Sequence, residues 1–211
     1  MADLLSVLAT PVVAITPGVF YLPQRVDSAS LRPAMDAVMA VSPLRHLQTR
    51  MGTMSVALTN CGRYGWHADA SGYRYVEIDP LTRQPWPAMP TRLAQLAQTL
   101  AAEVGFMGFQ PDCCLLNYYA VGAKMGAHRD FDEQDYRWPI VSISLGLSAD
   151  FIWHGEQRTN PGIKLRLNDG DVVVFGGVAR RGYHAVRPLK KAPEPAAWTE
   201  RFNLTFRRAR S

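Results

Sequence analysis

Three side chains of metal-ligand type stand out in the sequence: His128, Asp130 and, much later, His184. His128 and Asp130 are two residues apart, so an extended backbone points both side chains to the same side. A histidine from a distant strand can complete a three-ligand site that leaves the opposite side of the metal open. Two imidazoles and one carboxylate form the facial triad of non-haem Fe(II) oxygenases. The HxD spacing alone recurs by chance, but HxD followed by a late histidine and an RxxxxxR segment is far more specific.

The RxxxxxR segment, residues 201–207, alternates between polar and apolar side chains. One face carries Arg201, Asn203, Thr205 and Arg207, and the other carries Phe202, Leu204 and Phe206. If the polar face points inward, its arginines need an anion, and a small dicarboxylate suits them because guanidinium binds carboxylate in a bidentate fashion. The segment is equally well interpreted as an edge strand with a solvent-facing polar side, so both interpretations stay open.

The elements that must position these residues are mostly short strands. Helical periodicity predicts helices over 31–41 and 91–104. Residues 50–90, rich in Gly, Pro and aromatics, indicate short strands and loops. Strands are predicted at 114–119, 140–147, 150–154, 163–167, 171–175 and 201–208, with a tight turn at 168–171. Six or more short strands with turn signals favour an antiparallel barrel or sandwich.

Composition fits one globular domain with a sizeable core, since 47% of the 211 residues are hydrophobic and 19% charged. The net charge of +5 is compatible with a polyanionic partner but does not require one. Many basic residues lie late in the chain, and we interpret Arg208 and Arg210 as a solvated tail.

The three cysteines, Cys61, Cys113 and Cys114, are odd in number and include an adjacent pair. This pattern argues against a disulfide framework and favours a reducing compartment. The apolar stretch from Leu4 to Val19 is interrupted by prolines and polar residues, and no Lys or Arg precedes Arg25. It therefore resembles neither a signal peptide nor a transmembrane helix. We expect a cytoplasmic protein that does not bind membranes.

The chain resembles the bacterial DNA-repair members of the AlkB family of Fe(II)/2-oxoglutarate-dependent dioxygenases. The resemblance runs from about Thr53 to Arg208 and is weak over the first fifty residues. It implies a double-stranded β-helix (jelly roll), mainly β with flanking helices (α+β), in a single domain, 1–211. Within it, 1–50 would be a variable N-terminal segment, 51–105 a nucleotide-recognition lid and outer helix, and 106–211 the catalytic core. Its carriers are residues 53–66, 73–80, 85–90, 109–133, 139–147, 170–177, 180–189 and 201–207.

The resemblance also implies roles for individual residues. Iron binding falls to His128, Asp130 and His184. The implied 2-oxoglutarate contacts are Asn117, Tyr119, Arg201, Asn203 and Arg207. Of the two arginines, Arg201 would hold the distal carboxylate and Arg207 the carboxylate near the metal.

Substrate contacts follow from the resemblance in the same way. Trp66, Tyr73 and Tyr75 match the nucleotide-recognition lid. Asp132 matches a residue that meets the base edge, and Arg158 matches a basic contact near the target nucleotide. The sequence departs from the family pattern at Phe131, where a polar or basic residue is expected at a position of backbone contact.

The implied reaction is oxidative demethylation of N-alkylated bases in DNA, of the N1-methyladenine and N3-methylcytosine type. It uses Fe(II), 2-oxoglutarate and O2 and releases formaldehyde, succinate and CO2. Such bases are cationic, so an aromatic face and a nearby carboxylate attract them. The expected partner of the monomeric protein is alkylated single-stranded DNA, with double-stranded DNA and RNA left open.

Two other functions compete with this one. A related oxygenase acting on a protein side chain or a small molecule would keep iron and 2-oxoglutarate but would not need the lid residues 66–75. A non-enzymatic jelly roll that binds nucleic acid would show salt-dependent binding without needing the metal triad or Arg207. The intact triad argues against the second alternative.

Overall fold

Two α-helices lie where the periodicity predicts them. The structure, a computed structural model, describes residues 10–192 and 198–210. Helix α1 spans Arg32–Val41 after a single 3-10 turn, and α2 spans Thr91–Glu103. Both helices bury one apolar stripe, as amphipathic helices on a sheet do.

Antiparallel strands make up most of the remaining regular structure. In chain order they are β1 (Val13–Thr16), β2 (Val19–Leu22), β3 (Arg45–Thr49), β4 (Gly52–Gly62), β5 (Gly65–Asp69), β6 (Gly72–Val76), β7 (Cys113–Tyr119), β8 (Met125–His128), β9 (Ile140–Gly146), β10 (Ala149–Gly155), β11 (Ile163–Leu167), β12 (Val172–Phe175), β13 (Tyr183–Val186) and β14 (Arg201–Arg207). The major sheet has the order β1-β2-β12-β9-β14-β7-β4-β3, the minor sheet β11-β10-β13-β8, and β5 and β6 form a separate hairpin. This is the predicted mainly β, jelly-roll arrangement with outer helices.

Strand β14 lies in the middle of the major sheet, hydrogen-bonded to β7 on one side and β9 on the other. The interpretation of this segment as a solvent-facing edge strand is therefore wrong. Phe202, Leu204 and Phe206 pack in one core cluster with the buried faces of α1 and α2. A second cluster fills the space between the sheets with residues such as Phe151 and Phe175. The polar face of β14 consequently points between the two sheets.

The six predicted strands correspond to β7, β9, β10, β11, β12 and β14. Strand β4 is longer than the short strands expected in its region, with 11 residues. The sequence did not predict β1, β2, β3, β8 or β13. Strands β1 and β2 extend the major sheet through β12, so the N-terminal segment contributes directly to the sandwich.

The predicted turn at 168–171 joins β11 to β12. Gly170 has a φ of +80°, a region that L side chains rarely adopt. Its carbonyl accepts hydrogen bonds from the backbone amides of Arg25 and Val26, and a Cβ at this position would lie 2.3 Å from the Val26 carbonyl oxygen. Glycine is thus required where the N-terminal segment is tied to the sandwich.

The cysteines Cys61, Cys113 and Cys114 are buried, free thiols on β4 and β7, as expected. In contrast, the expectation that Arg208 and Arg210 form a solvated tail is wrong. The Arg208 guanidinium lies 5.4 Å from the Trp138 ring centroid, and that of Arg210 lies 5.8 Å from the Tyr64 and Tyr75 rings. Among the described residues, no helix is long and apolar enough to cross a membrane.

Candidate active site

A small cavity of about 80 Å³ opens between the two sheets. Its apolar wall includes Leu58 and Leu115 from the major sheet and Phe151 and Val186 from the minor sheet. Its polar lining comprises Asn117, Tyr119, His128, Asp130, Ser142, His184, Arg201, Asn203, Thr205 and Arg207. The sheets therefore bring all the predicted metal and 2-oxoglutarate residues into one enclosure.

The predicted triad converges at one end of this cavity. His128 ends β8 and His184 lies directly opposite it in β13, while Asp130 follows in the loop after β8. One ligand atom from each residue lies within 4.8 Å of the others. The His184 Nε2 and Asp130 Oδ2 atoms are 3.7 Å apart. A single ion between the three side chains would contact all of them.

The hydrogen bonds of the triad leave the correct atoms free for a metal. The Nδ1 atoms of His128 and His184 lie 2.9 Å and 3.1 Å from the carbonyl oxygens of Gly126 and Gly182. Each Nδ1 therefore carries the proton and donates, and each Nε2 keeps its lone pair for an ion. The buried Oδ2 of Asp130 has no hydrogen-bond partner among the described residues.

The electrostatics of the triad also suit a cation. Burial lowers the pKa of His184 to about 3, so its imidazole is neutral, as a ligand must be. Burial opposes ionisation of Asp130, but the charge of Arg207 outweighs it and holds the pKa of that carboxyl well below its usual range. These residues fit a divalent ion such as Fe(II), with room left on the cavity side.

The other end of the polar lining is formed by Arg201, whose side chain is 1% exposed. Its Nη2 donates to Ser144 Oγ at 3.0 Å, whereas Nε and Nη1 are buried and have no hydrogen-bond partner among the described residues. The guanidinium carbon lies 4.8 Å from the Tyr119 ring centroid. Burial lowers the pKa of Arg201. These two buried guanidinium nitrogens can each donate a hydrogen bond to one carboxylate that enters the cavity.

Between the two ends, polar residues of β7 and β14 form one wall. Asn203 and Asn117 are register partners across the two strands. Asn203 Nδ2 donates to Ser142 Oγ at 2.8 Å and to the Ile143 carbonyl at 3.0 Å. Asn117 Oδ1 has no partner among the described residues, although it is buried. This wall offers hydrogen bonds to a small polar molecule lying between the triad and Arg201.

Arg207 is less free than Arg201. Its Nη2 donates to Asp130 Oδ1 at 3.0 Å, its Nη1 donates to the Tyr75 hydroxyl at 3.2 Å, and its Nε lies 3.7 Å from Glu133 Oε1. Nε has no hydrogen-bond partner among the described residues. Arg207 thus combines a structural contact to the triad carboxylate with one remaining donor.

Two functional residues escaped the sequence analysis. Neither Glu133, three residues after Asp130, nor Arg180 was given a role from the sequence. The Arg180 side chain is buried; its Nη2 lies 3.1 Å from Glu133 Oε2, and its Nη1 donates to the Asp130 carbonyl at 3.1 Å. They hold the loop that carries Asp130. No sequence spacing signals this pairing, because it joins segments far apart in the chain.

The β5–β6 hairpin lies at the cavity, as a lid would. The Trp66 and Tyr73 rings are stacked with centroids 5.5 Å apart, and Trp66 lines the cavity. Trp66 Nε1 donates to Asp132 Oδ2 at 2.8 Å. Asp132 therefore contacts the lid directly and, within the described part of the chain, forms no ion pair with Arg158. Asp132 and the lid aromatics lie together.

Two predicted substrate contacts lie elsewhere. Tyr75 is 6% exposed, does not line the cavity and donates its hydroxyl proton to Glu133 Oε1 at 2.6 Å. Its position supports Arg207 and Glu133 from behind rather than offering a ring to a base. Arg158 is exposed on the connection between β10 and β11 and does not line the cavity either.

Comparisons with known proteins agree with this geometry. The 2OG-Fe(II) oxygenase superfamily model matches residues 18–207. The chain is 51% identical over 173 residues to the alpha-ketoglutarate-dependent dioxygenase AlkB of Escherichia coli, covering 82% of this chain and 80% of that protein. It is 32% identical over 175 residues to the DNA N(6)-methyladenine demethylase ALKBH1C of Arabidopsis thaliana, covering 70% and 38%. The solved structure of OsALKBH1 has the same fold, with a TM-score of 0.78, 23% identity and coverage of 94% and 100%.

Proposed function

The chain belongs to the 2OG-Fe(II) oxygenase superfamily, and on that premise we propose that it oxidatively demethylates N-alkylated nucleobases, N1-methyladenine and N3-methylcytosine foremost. It is an enzyme that uses Fe(II), 2-oxoglutarate and O2. The observation that carries the proposal is one cavity with buried polar atoms at both ends that have no hydrogen-bond partner in the described part of the chain: Asp130 Oδ2 at one end and Arg201 Nε and Nη1 at the other.

The residues divide the task between them. Nε2 of His128, Nε2 of His184 and Oδ2 of Asp130 would hold the iron. Arg201 would bind the distal carboxylate of 2-oxoglutarate. The bound iron, with 2-oxoglutarate and O2, supplies the oxidising power that removes the methyl group as formaldehyde and leaves succinate and CO2.

Further residues orient the co-substrate and exclude water. Tyr119 packs its ring on Arg201, which keeps that guanidinium aimed into the cavity. Asn117, Asn203 and the Arg207 guanidinium would meet the remaining oxygens. The apolar wall keeps water from the reacting atoms, which strengthens every charge interaction inside the cavity.

The lid supplies the features that a cationic base requires. Trp66 offers an electron-rich ring at the cavity, and Asp132 places a carboxylate against its indole nitrogen. A methylated adenine or cytosine carries a positive charge and gains from both, whereas an unmodified base does not. Because the base must leave its stack to enter the cavity, we propose single-stranded DNA as the preferred partner. A monomeric state and a cytoplasmic location remain predictions.

The decisive experiment measures formaldehyde and succinate together. The protein is loaded with Fe(II) and 2-oxoglutarate without oxygen and then mixed with oxygenated buffer and a single-stranded oligonucleotide containing one N1-methyladenine. We expect both products in equal amounts, and neither with Asp130→Ala. Parallel reactions with N-methylated peptides test the protein-oxygenase alternative. Turnover of the peptides but not of the oligonucleotide would reject the nucleobase substrate while preserving the oxygenase.

A further inference from the structure

The residues that follow β14 pack against the β5–β6 hairpin. Ala209 is 0% exposed and lies in one hydrophobic cluster with Tyr75, and the rings of Tyr64 and Trp66 pack against this cluster. The guanidinium carbon of Arg210 lies 5.8 Å from the ring centroids of both Tyr64 and Tyr75, a distance at which a cation is attracted to aromatic faces. As a separate two-stranded sheet, the hairpin depends on such side-chain contacts for its position.

The same two residues contact the loop that joins β8 to β9. The Gln134 amide donates to the Ala209 carbonyl at 3.1 Å. Arg210 Nη1 donates to the Asp132 carbonyl at 3.4 Å and to the Ala209 carbonyl at 3.1 Å. Arg210 therefore contacts the backbone of the residue whose carboxylate accepts from Trp66 Nε1. One side chain thus connects the hairpin with the loop that carries the proposed base contact.

The carboxylate of Asp112 fixes the backbone of this segment. Its Oδ1 accepts from the Ala209 amide at 2.6 Å, and its Oδ2 accepts from the Arg210 amide at 3.0 Å. The Asp112 carbonyl accepts from the Tyr64 amide at 3.1 Å, and the Asp112 amide donates to the Arg207 carbonyl at 3.0 Å. Because one residue holds β14, the start of the hairpin and both amides, the Arg210 side chain leaves the sheet in a defined direction.

We propose that Arg210 is a positioning residue of the substrate site, which holds the hairpin against the loop so that the Trp66 ring and the Asp132 carboxylate meet the same base. This inference rests on the proposed function and extends it to a residue that is not among those lining the cavity. A protein whose hairpin is correctly placed for only part of the time binds a base more weakly in proportion. Arg210 should therefore act on recognition of the methylated base and leave the iron site unaffected.

The first test compares the wild-type protein, Arg210→Met and Arg210→Lys in their affinity for two labelled single strands that differ by one N1-methyladenine. Methionine removes the charge and the donors, whereas lysine keeps a cation that can lie over the two rings. We expect Arg210→Met to bind the methylated strand on the order of threefold to thirtyfold more weakly, the range for loss of one cation–π contact. Its affinity for the unmethylated strand should not change, and Arg210→Lys should bind the methylated strand more tightly than Arg210→Met.

The matched control for this comparison is Arg208→Met. Arg208 lies close to Arg210 in the chain, but its guanidinium lies over the ring of Trp138, 5.4 Å from the centroid. We expect this variant to bind both strands like the wild type. Equal losses in Arg208→Met and Arg210→Met would show a general effect of charge and would reject the positioning role.

A double-mutant cycle tests whether Arg210 acts through Asp132. If it does, Arg210→Met should weaken binding of the methylated strand less in an Asp132→Asn background, because the positioned charge is already absent. An equal effect in both backgrounds would reject the proposal. Equal weakening for both strands, with a fall of about 0.7 in the slope of log affinity against log salt, would show a direct phosphate contact and would reject it as well.

Turnover of the wild-type protein separates this inference from the proposed function. If no formaldehyde is released from the methylated strand, the proposed function fails. If formaldehyde is released but Arg210→Met binds that strand like the wild type, only the positioning role is rejected. In Arg210→Met the KM for the strand should rise, while kcat and the uncoupled consumption of 2-oxoglutarate stay unchanged. Misfolding would lower both of these rates and would weaken binding of both strands alike, so it cannot produce the expected result.

Discussion

The unpaired nitrogens of Arg201 are the most consequential atoms of the co-substrate site. Replacing Arg201 by methionine keeps the bulk of the side chain and removes both donors. We expect 2-oxoglutarate affinity to fall by at least on the order of tenfold to a hundredfold, because the loss of even one charge-assisted hydrogen bond costs about 1.5–3 kcal/mol. The measurement is anaerobic titration of the Fe(II)-loaded protein with 2-oxoglutarate.

Substitution of Arg207 would test co-substrate binding less specifically than substitution of Arg201. Its substitution also removes the partner of Asp130 and Glu133, so metal affinity and stability would change together with co-substrate affinity. An Arg201→Met protein that binds 2-oxoglutarate like the wild type would show that this end of the cavity serves another anion. Arg92→Met controls for the general loss of a positive charge.

Asp132 tests the charge that a methylated base would meet. Asp132→Asn keeps an acceptor for Trp66 Nε1 but removes the negative charge. We expect turnover of N1-methyladenine in a single strand to fall, with uncoupled 2-oxoglutarate consumption unchanged, because only the cationic base loses an attraction. Comparing succinate formed with and without oligonucleotide separates the two rates. Parallel loss of both rates would instead indicate damage to the iron site.

At the residue level, spacing was informative where the function lies along one strand or one turn. The HxD pair and the alternating arginines of β14 could be predicted because their side chains share a face by backbone geometry alone. The contact between Glu133 and Arg180 could not be predicted, since a carboxylate and an arginine are ordinarily solvated and only the tertiary fold buries this pair.

Among the elements, the β5–β6 hairpin depends on one buried amide of β4. Asn60 is 0% exposed; its Nδ2 donates to the Trp66 carbonyl at 3.1 Å, and its Oδ1 accepts from the Trp66 amide at 3.0 Å. In Asn60→Ala both backbone groups lose their partner, at a cost of about 1–3 kcal/mol. We expect weaker binding of the methylated strand and unchanged 2-oxoglutarate affinity, measured by separate titrations. Equal loss of both affinities would refute a role confined to the lid.

The strands that carry the histidine ligands were missed, whereas strands with a clear hydrophobic pattern were found. Strand β8 has the sequence Met-Gly-Ala-His and β13 has the sequence Tyr-His-Ala-Val, and neither shows the apolar run or alternation that marks a strand. These two strands form by pairing with each other, and β13 also pairs with β10. Strand β12 is apolar on both faces, and β9 alternates two serines with buried apolar side chains, so both were recognisable.

At the scale of the whole molecule, the two sheets enclose the cavity and should be stabilised by what it binds. A ligand at a hundredfold excess over its Kd adds about 2.7 kcal/mol to the stability of the folded state. For a chain of this size, a thermal midpoint rises about 2–4 °C per kcal/mol. We therefore expect Fe(II) to raise the midpoint by roughly 5–10 °C at such an excess, and 2-oxoglutarate added to the Fe(II)-loaded protein to raise it by a similar amount again, measured anaerobically by scanning calorimetry.

Two variants separate the contributions to this shift. Arg201→Met should retain the part due to Fe(II) and lose most of the part due to 2-oxoglutarate, whereas Asp130→Ala should lose the part due to the metal. A midpoint that does not respond to either ligand in the wild-type protein would contradict binding between the sheets. The general architecture was predictable because each strand alternates toward a common core, but the closed shape of the cavity required the pairing order of all the strands.

Burial of the three thiols should make the protein resistant to alkylation. Burial raises the pKa of Cys113 and Cys114 far above the usual thiol range, and electrophiles react with the thiolate rather than the thiol. The agents that methylate nucleobases are themselves electrophiles, so the buried thiols of the folded protein should resist alkylation by them. This protection depends on the fold. An unfolded molecule exposes its cysteines, and the same alkylating agents then modify them irreversibly.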